Sequence, residues 1–317
     1  LLALKPGWIA TFPASGISLE QKLKWFQKAD RGFDPEVIFP FQQKLSEGIH
    51  ELDFSLSHLV QPDLFIRLRP QTRKQVKDQL SKAGISFFEC GEDCLKLPNG
   101  SAIEQVLQLN KHAVVQDKSS QRIGAVVREL HSEHPGRFRK VWDACAASGG
   151  KSILLYDLLP DFQLYVSDIR KSILHNLHQR FRLAGIKNYE AFVVDLSAEK
   201  VSKEVIPFQT NAIDLILLDV PCSGSGTWGR TPEYLRIFDE SEVDRYAALQ
   251  RKIITNSIPY LKNDGVLLYS TCSVFQKENE ENVRFIQQEH GLKLLYQEVI
   301  KGYTEKADSM FIAALTY

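Results

Sequence analysis

The chain has 317 residues, of which 44% are hydrophobic and 25% are charged, and its 39 basic residues balance 39 acidic ones. This is an ordinary globular composition, with enough length for two domains or one large one. The zero net charge excludes a global positive field that would attract any polyanion, although local basic patches remain possible.

The cysteine count limits the redox compartment and the metal chemistry. Five scattered cysteines are not a disulfide framework and indicate a reducing, cytoplasmic location. Cys90 and Cys94 have the spacing of a metal pair, but no second pair completes a four-ligand zinc site, so no metal is predicted. No apolar run approaches membrane-spanning length, and residues 1–10 lack the basic region and cleavage site of a signal peptide.

The first part of the chain predicts a helical segment and then a small α+β unit. In residues 1–60, Leu19, Leu23 and Phe26 share one helical face, and nothing specifies chemistry. Residues 61–113 predict short strands around a helix that ends at Gly84. Basic side chains cluster along this unit, where a solvated charged face is the default interpretation and phosphate contact the alternative. They are Arg67, Arg69, Arg73, Lys74 and Lys77.

The third predicted domain covers residues 114–317. It opens with VVQDKSSQ, residues 114–121, whose composition favours a loop, with a cleft-lining segment as the alternative. From Phe138 onward, strand and helix patterns alternate, which predicts an α/β fold with a doubly wound, mostly parallel sheet. The predicted strands are 141–146, 163–167, 191–194, 213–218, 266–269, 292–299 and 310–315, and the predicted helices are 151–159, 169–184, 242–261 and 278–289.

Four predicted strands end in residues suited to a nucleoside cofactor. The first leads into CAASGGK, residues 145–151, which matches neither GxGxxG nor the Walker A spacing and so weakens dinucleotide and nucleoside triphosphate interpretations. The next three end in Asp168, Asp195 and Asp219, of which Asp168 suits ribose hydroxyls and Asp195 an adenine edge. Each acid alone could be a helix N-cap, but three in series favour a cofactor with a nucleoside and no phosphate, such as S-adenosylmethionine.

Two cysteines follow the ends of predicted strands. Cys222 comes just after Asp219, and Cys272 comes after the strand 266–269. Cys222 alone could be a small buried hydrophobe. If the two strands are neighbours, however, both sulfurs face one cleft at the sheet edge where α/β proteins bind ligands, and this arrangement favours covalent chemistry.

Four segments resemble, in chain order, the motifs of the Sun/RsmB family of RNA (cytosine-5) methyltransferases: DACAASGGKS, VSDIRKSIL, DVPCSGSGT and STCSVFQKENEENV. VVQDKSSQ resembles the segment before the catalytic domain in that family. The resemblance as a whole covers roughly residues 64–317. The chain departs from the family at Ser148, where Pro is usual, and this difference should alter loop stiffness more than chemistry. The first 60 residues do not clearly match the helical RNA-binding domain of some members.

The resemblance implies a Rossmann-like class I methyltransferase that uses S-adenosylmethionine to methylate carbon 5 of cytosine in RNA. It implies that Cys272 is the nucleophile, that Cys222 assists elimination or proton removal, and that Asp219 holds the cytosine edge and the methionine end of the cofactor. Lys151 would lower a thiol pKa or order the cofactor loop. The implied cofactor-binding residues are Cys145, Ala146, Ala147, Ser148, Gly149, Gly150, Lys151, Asp168, Asp195 and Asp219.

The same resemblance implies an RNA partner, and rRNA rather than tRNA, bound by a cytoplasmic monomer without membrane contact. It favours phosphate contact for Arg67, Arg69, Arg73, Lys74 and Arg230. The target base must leave its stack, which favours loops or single strands.

Two alternatives remain open from the sequence. A DNA cytosine-5 methyltransferase would use Cys222 as nucleophile and would not need Cys272. An RNA-assembly factor would bind the cofactor and turn over little, although intact Cys222, Cys272 and Asp219 argue against that interpretation.

Overall fold

The computed structural model describes residues 18–29, 34–41 and 43–317. Residues 1–10, for which no signal peptide is predicted, lie outside these ranges. Within them, no helix combines the length and the apolar character that a bilayer crossing requires.

The larger sheet of the described residues has seven strands in the order β10-β11-β9-β8-β5-β6-β7. β5 to β9 run parallel, whereas β11 is antiparallel to both β9 and β10. The prediction of a mostly parallel sheet is therefore confirmed. The strands are β5 (Lys140–Asp143), β6 (Gln163–Asp168), β7 (Tyr189–Val193), β8 (Ile213–Asp219), β9 (Leu261–Thr271), β10 (Lys293–Ile300) and β11 (Met310–Thr316).

Helices cover both faces of this sheet because its strands are apolar on both sides. In β8, Leu215 and Leu217 pack on one face, whereas Ile216 and Leu218 pack on the other. The first face carries α4 (Lys118–Glu133), α5 (Gly150–Leu158) and α6 (Lys171–Ala184), and the second carries α8 (Glu242–Ser257) and α9 (Glu280–His290). A short α7 (Tyr234–Ile237) precedes α8.

The strand order reverses next to β5, which has β6 on one side and β8 on the other. In open α/β sheets, ligands bind outside the carboxyl ends of the strands at such a switch point. The ends of β5, β6, β8 and β9 therefore define where a site is expected.

The smaller sheet has four strands in the order β2-β3-β1-β4, with α3 (Arg73–Lys82) in the same unit. It includes Val114 and Val115, the first two residues of VVQDKSSQ, and residues 118–121 belong to α4, so the prediction of a loop over residues 114–121 is wrong. Val114 pairs with Arg67, and the side chain of Asp117 accepts a hydrogen bond from the Ser119 N–H at 2.8 Å, which caps α4. The strands are β1 (Leu64–Leu68), β2 (Phe88–Glu89), β3 (Cys94–Leu97) and β4 (Ala113–Val115).

The N-terminal segment contains the helices α1 (Leu19–Ala29) and α2 (Glu51–Ser57), and its aromatic residues pack against the segments that follow β8 and β9. Phe39 and Phe54 form an aromatic cluster with Trp228 and Phe275. Trp228 follows the Cys222 segment and Phe275 follows Cys272, so this cluster supports both thiol-bearing loops from behind.

Two of the arginines predicted to contact phosphate are instead buried in an ion-pair cluster with α5. Arg67 Nη1 donates to Asp157 Oδ2 at 2.6 Å, and Arg69 Nη2 donates to Asp157 Oδ1 at 2.6 Å. The three side chains are 4% to 11% exposed. The prediction of phosphate contact is wrong for Arg67 and Arg69, because both guanidinium groups are enclosed and share this carboxylate, which balances one of their two positive charges.

Candidate active site

The two thiols meet because β8 and β9 are parallel neighbours, with Asp219 opposite Ser270. The loops after these strands then carry Cys222 and Cys272 side by side, and the Cys272 N–H donates a hydrogen bond to Cys222 Sγ at 3.3 Å. The Gly226 N–H also donates to the Cys272 carbonyl at 2.8 Å, which holds one loop over the other. Both side chains are half-buried rather than sealed in the core.

Lys151 and Asp219 form an ion pair beside the thiols. Lys151 Nζ donates to Asp219 Oδ2 at 2.6 Å, and Ser270 Oγ donates to Asp219 Oδ1 at 2.9 Å. Burial opposes a charge on Lys151, but the negative charges of Asp219 and of an ionised Cys272 outweigh it and raise the lysine pKa. Lys151 therefore keeps a positive charge near Cys272.

The loop between β5 and α5 approaches the switch point with unusual backbone geometry. Ala147 has φ +46° and Gly149 has φ +81°, and a Cβ on Gly149 would lie 2.6 Å from Phe181 Cε1. The Ala147 N–H donates to Asp168 Oδ2 at 3.1 Å, which links this loop to the end of β6. The sequence CAASGGK therefore forms a tight turn that exposes backbone groups at the start of α5.

A cavity of about 480 Å³ opens between this loop and the strand ends. Three carboxylates line it, those of Asp168, Asp195 and Asp219, and its other walls are largely apolar. The volume and the three carboxylates fit an adenosyl group. Carboxylates can accept hydrogen bonds from ribose hydroxyls and from an amino group, and the apolar walls can enclose a purine. The further lining residues are Ala144, Cys145, Ala147, Ile169, Arg170, Val194, Leu196, Ser197, Val220, Pro221, Leu249 and Ile253.

The carboxylates of Asp168 and Asp195 also accept hydrogen bonds from the backbone two residues further along the chain. Asp168 Oδ1 accepts from the Arg170 N–H at 2.9 Å, and Asp195 Oδ1 accepts from the Ser197 N–H at 2.8 Å. These are turn bonds rather than helix N-caps, and they orient each carboxylate toward the cavity before any ligand arrives.

Ser148, the departure from the family pattern, is held by a side chain instead of a proline ring. Arg180 Nη1 donates to Ser148 Oγ at 2.7 Å, and Arg180 Nε donates to Asn110 Oδ1 at 2.9 Å. The arginine therefore ties the cofactor loop to the small α+β unit. This bond offers a physical substitute for the stiffness that Pro would supply.

Asp143, which the sequence analysis did not single out, is buried at the end of β5. Its Oδ2 accepts from Ser152 Oγ at 2.6 Å, whereas Oδ1 has no hydrogen-bond partner among the described residues. Burial, reinforced by the nearby charge of Asp219, raises the pKa of Asp143 to about 7.

The remaining basic residues predicted to bind RNA differ in availability. Lys74 is exposed, and Arg73 is half-exposed with Asp93 at 3.0 Å. Arg230 donates to Asp117 and Asp308, each at 2.7 Å, so its charge is already balanced.

Comparison with known proteins gives the same picture at the level of sequence. A model of the 16S rRNA methyltransferase RsmB/F family matches residues 132–316. Ribosomal RNA small subunit methyltransferase B of Pasteurella multocida is 29% identical over 224 residues, covering 69% of this chain and 48% of the relative. Human tRNA (cytosine(72)-C(5))-methyltransferase NSUN6 is 34% identical over 167 residues, covering 50% of this chain and 34% of the relative. The chain thus spans half or less of the length of these curated relatives.

Solved structures share the fold. NSun6 from Pyrococcus horikoshii, determined with SFG, has a TM-score of 0.68 and 17% identity, covering 84% of this chain and 94% of that one. A methyltransferase homolog protein from the same organism has a TM-score of 0.67 and 20% identity, covering 92% and 98%. At these identities the likeness establishes the Rossmann-like architecture alone.

Proposed function

Because the chain belongs to the RsmB/F family of 16S rRNA methyltransferases, we propose that it transfers a methyl group from S-adenosylmethionine to carbon 5 of a cytosine in RNA. The observation that carries this proposal is the contact between Cys222 and Cys272, 3.3 Å from sulfur to amide nitrogen, beside a cavity of adenosyl size. A site that only bound a nucleoside would not need two thiols at its edge.

The proposed chemistry overcomes the low nucleophilicity of cytosine carbon 5. The Cys272 thiolate adds to carbon 6, and the electrons of the 5,6 double bond then become available at carbon 5. S-adenosylmethionine bound in the cavity supplies an electrophilic methyl group to that carbon. Cys222 assists removal of the carbon-5 proton, which passes to solvent. The electron pair of that carbon–hydrogen bond restores the 5,6 double bond as the carbon 6–sulfur bond breaks and returns Cys272 as a thiolate.

The ion pair between Lys151 and Asp219 supports both the nucleophile and the methyl donor in this reaction. Lys151 keeps a positive charge next to the Cys272 sulfur, and Asp219, held by Lys151 and Ser270, presents its carboxylate to the cytosine edge and to the cofactor. Asp168 and Asp195 hold the adenosyl part, and the loop 145–151 contacts its methionine end through backbone groups.

The proposed substrate is rRNA rather than tRNA. The matching family is named for 16S rRNA. By their names, the Pasteurella multocida relative acts on ribosomal RNA and the human relative acts on tRNA. We further propose a cytoplasmic monomer in which residues 61–115 help to position the RNA, with Lys74 and Arg73 as the phosphate contacts that remain available.

Replacing each cysteine tests the assignment of roles. Cys272→Ala should abolish both methyl transfer and the covalent protein–RNA adduct, because it removes the proposed nucleophile. Cys222→Ala should accumulate a denaturant-stable adduct, because addition proceeds and release does not. Adducts are measured by denaturing electrophoresis with in vitro transcribed 16S rRNA. The opposite pattern, with Cys222 forming the adduct, would instead favour a DNA-type cytosine-5 methyltransferase.

A further inference from the structure

Glu278 is a buried carboxylate between the two thiol loops, and the chemistry above does not use it. Its side chain is 0% exposed, just before α9 begins. A carboxylate is stable at such a position only where donors replace its lost hydration. The donors that surround it therefore indicate its role.

The carboxylate bridges the residues that directly follow each cysteine. Glu278 Oε1 accepts from the Ser223 N–H at 2.9 Å, and Oε2 accepts from the Ser223 hydroxyl at 2.5 Å. Oε2 also accepts from the hydroxyl of Ser273. Since Ser223 follows Cys222 and Ser273 follows Cys272, one side chain holds both loops.

Gln250 of α8 completes this set of donors. Its Nε2 donates to Glu278 Oε1 and to the carbonyl of Pro221, both at 2.9 Å. Because Pro221 precedes Cys222, the Cys222 loop is held on both sides of its sulfur. The carboxylate thus has four donors in all.

The charges around the two thiols are opposite in sign. The pKa of Cys222 is raised most by its hydrogen bond with Cys272 and next by burial. The charges of Cys272 and Glu278 raise it further. The cation of Lys151 instead interacts with Cys272. Lys151 therefore places a positive charge near Cys272, whereas Glu278 places a negative charge near Cys222.

We infer that Glu278 is a positioning residue that fixes the Cys222 loop against Cys272 for proton removal and elimination, and that adduct formation by Cys272 does not need it. The inference rests on the proposed function and deepens it, because it assigns the release step to a side chain that contacts neither RNA nor cofactor.

Glu278→Ala tests this inference, and Glu280→Ala is its matched control. Glu280 is also buried in the same segment, at 4% exposure, but it accepts from Ser46 Oγ at 3.0 Å and the Glu47 N–H at 2.9 Å, away from the thiols. Both variants remove a buried carboxylate and should lose stability, whereas only the first should disturb the thiol pair.

The first measurement needs no substrate. Diamide oxidises Cys222 and Cys272 to a disulfide in a Cys90→Ser/Cys94→Ser background, which is required because those two sulfurs lie 3.0 Å apart and would also react. Peptide mapping should show disulfide formation slowed about tenfold in Glu278→Ala, the order expected when a reacting group is misplaced by a fraction of an ångström. Glu280→Ala should react at the parental rate.

The second measurement separates addition from release. With 16S rRNA transcripts containing 5-fluorocytidine, whose fluorine cannot leave as a proton, Glu278→Ala should form the Cys272 adduct like the wild type. With unmodified transcript, it should accumulate the adduct and turn over about tenfold more slowly, and KM for the transcript should fall with kcat because the slowed step follows adduct formation. Glu278→Gln should restore most turnover, because its amide oxygen still accepts and the serine hydroxyls can reverse to accept from its NH₂ group.

Other outcomes contradict one hypothesis or the other. Equal losses in Glu278→Ala and Glu280→Ala, or loss of the fluorocytidine adduct in Glu278→Ala alone, would overturn the positioning role. If the wild type forms no adduct, the proposed function fails instead. Should Glu278→Ala not fold, Ser223→Ala/Ser273→Ala removes the bridging hydroxyls and leaves the carboxylate with two donors, and an unaltered disulfide rate there would equally overturn the inference.

Discussion

At the scale of single residues, the site combines groups whose charge states are set by burial. Lys151 keeps its proton beside Cys272, whereas burial favours the protonated form of Asp143. Asp143 is the last residue of β5 and Lys151 is the second residue of α5. One short stretch of the chain therefore carries a carboxyl group that resists ionisation at its start and a cation at its end.

Asp143 should make the stability of the protein depend on pH. Its pKa is about 7 in the folded state and about 3.9 in an unfolded chain. Between these values the folded state binds more protons, so the free energy of unfolding should fall as pH rises from 4 to 7, by a few kcal/mol for this group. Asp143→Asn should abolish that part of the decline, as measured by urea unfolding across the pH range.

A second group titrates in the same window and must be separated from the first. Asp308 also has a pKa raised to about 7, mainly by burial and then by the charge of Asp117. The difference between wild type and Asp143→Asn isolates the Asp143 contribution, and parallel curves for the two proteins would contradict the assignment.

At the scale of elements, the turn before α5 needs glycine at position 149 for two reasons. The backbone is left-handed there, and a Cβ would collide with Phe181. Gly149→Ala should cost about 2–4 kcal/mol, the sum of the backbone and overpacking penalties, and should weaken cofactor binding because the loop shifts. Urea unfolding and titration calorimetry with S-adenosylmethionine measure the two effects.

Gly185 at the end of α6 provides the matched control. It has φ +74°, but nothing lies within 4 Å of an added Cβ. Gly185→Ala should therefore lose about 1–2 kcal/mol from backbone strain alone and keep its cofactor affinity. Equal stability losses in both variants would exclude a role for the Phe181 contact.

The strands of the large sheet could be predicted from sequence because their pattern is local. Five of the seven residues of β8 are apolar, and the acids that end β6 and β8 mark the ligand edge without any knowledge of neighbours. The burial of Arg67 could not be predicted in this way, since its partner Asp157 lies 90 residues away. Glu278 stands in a quoted motif, but its partner Ser223 is 55 residues distant, so sequence spacing alone does not indicate that it is buried.

At the scale of the whole molecule, the Asp157 cluster joins the small α+β unit to the catalytic sheet. Asp157→Ala should cost about 3–5 kcal/mol, because two buried guanidinium groups lose their counter-charge. Asp93→Ala, which removes the partner of half-exposed Arg73, should cost about 1 kcal/mol or less. Urea unfolding compares the two, and similar small losses would show that the buried cluster does not hold the units together.

The connection between the two units is only Gln116 and Asp117, which separate β4 from α4. Both side chains accept hydrogen bonds, Gln116 from Arg67 at 2.9 Å and Asp117 from Arg230 at 2.7 Å. We therefore do not expect this connection to act as a hinge. Under the proposed function, an incoming RNA therefore binds two units whose relative arrangement is already fixed. Under the proposed function, we expect the RNA rather than this connection to deform when a cytosine enters the site, so transcripts whose target base unpairs readily should be methylated faster.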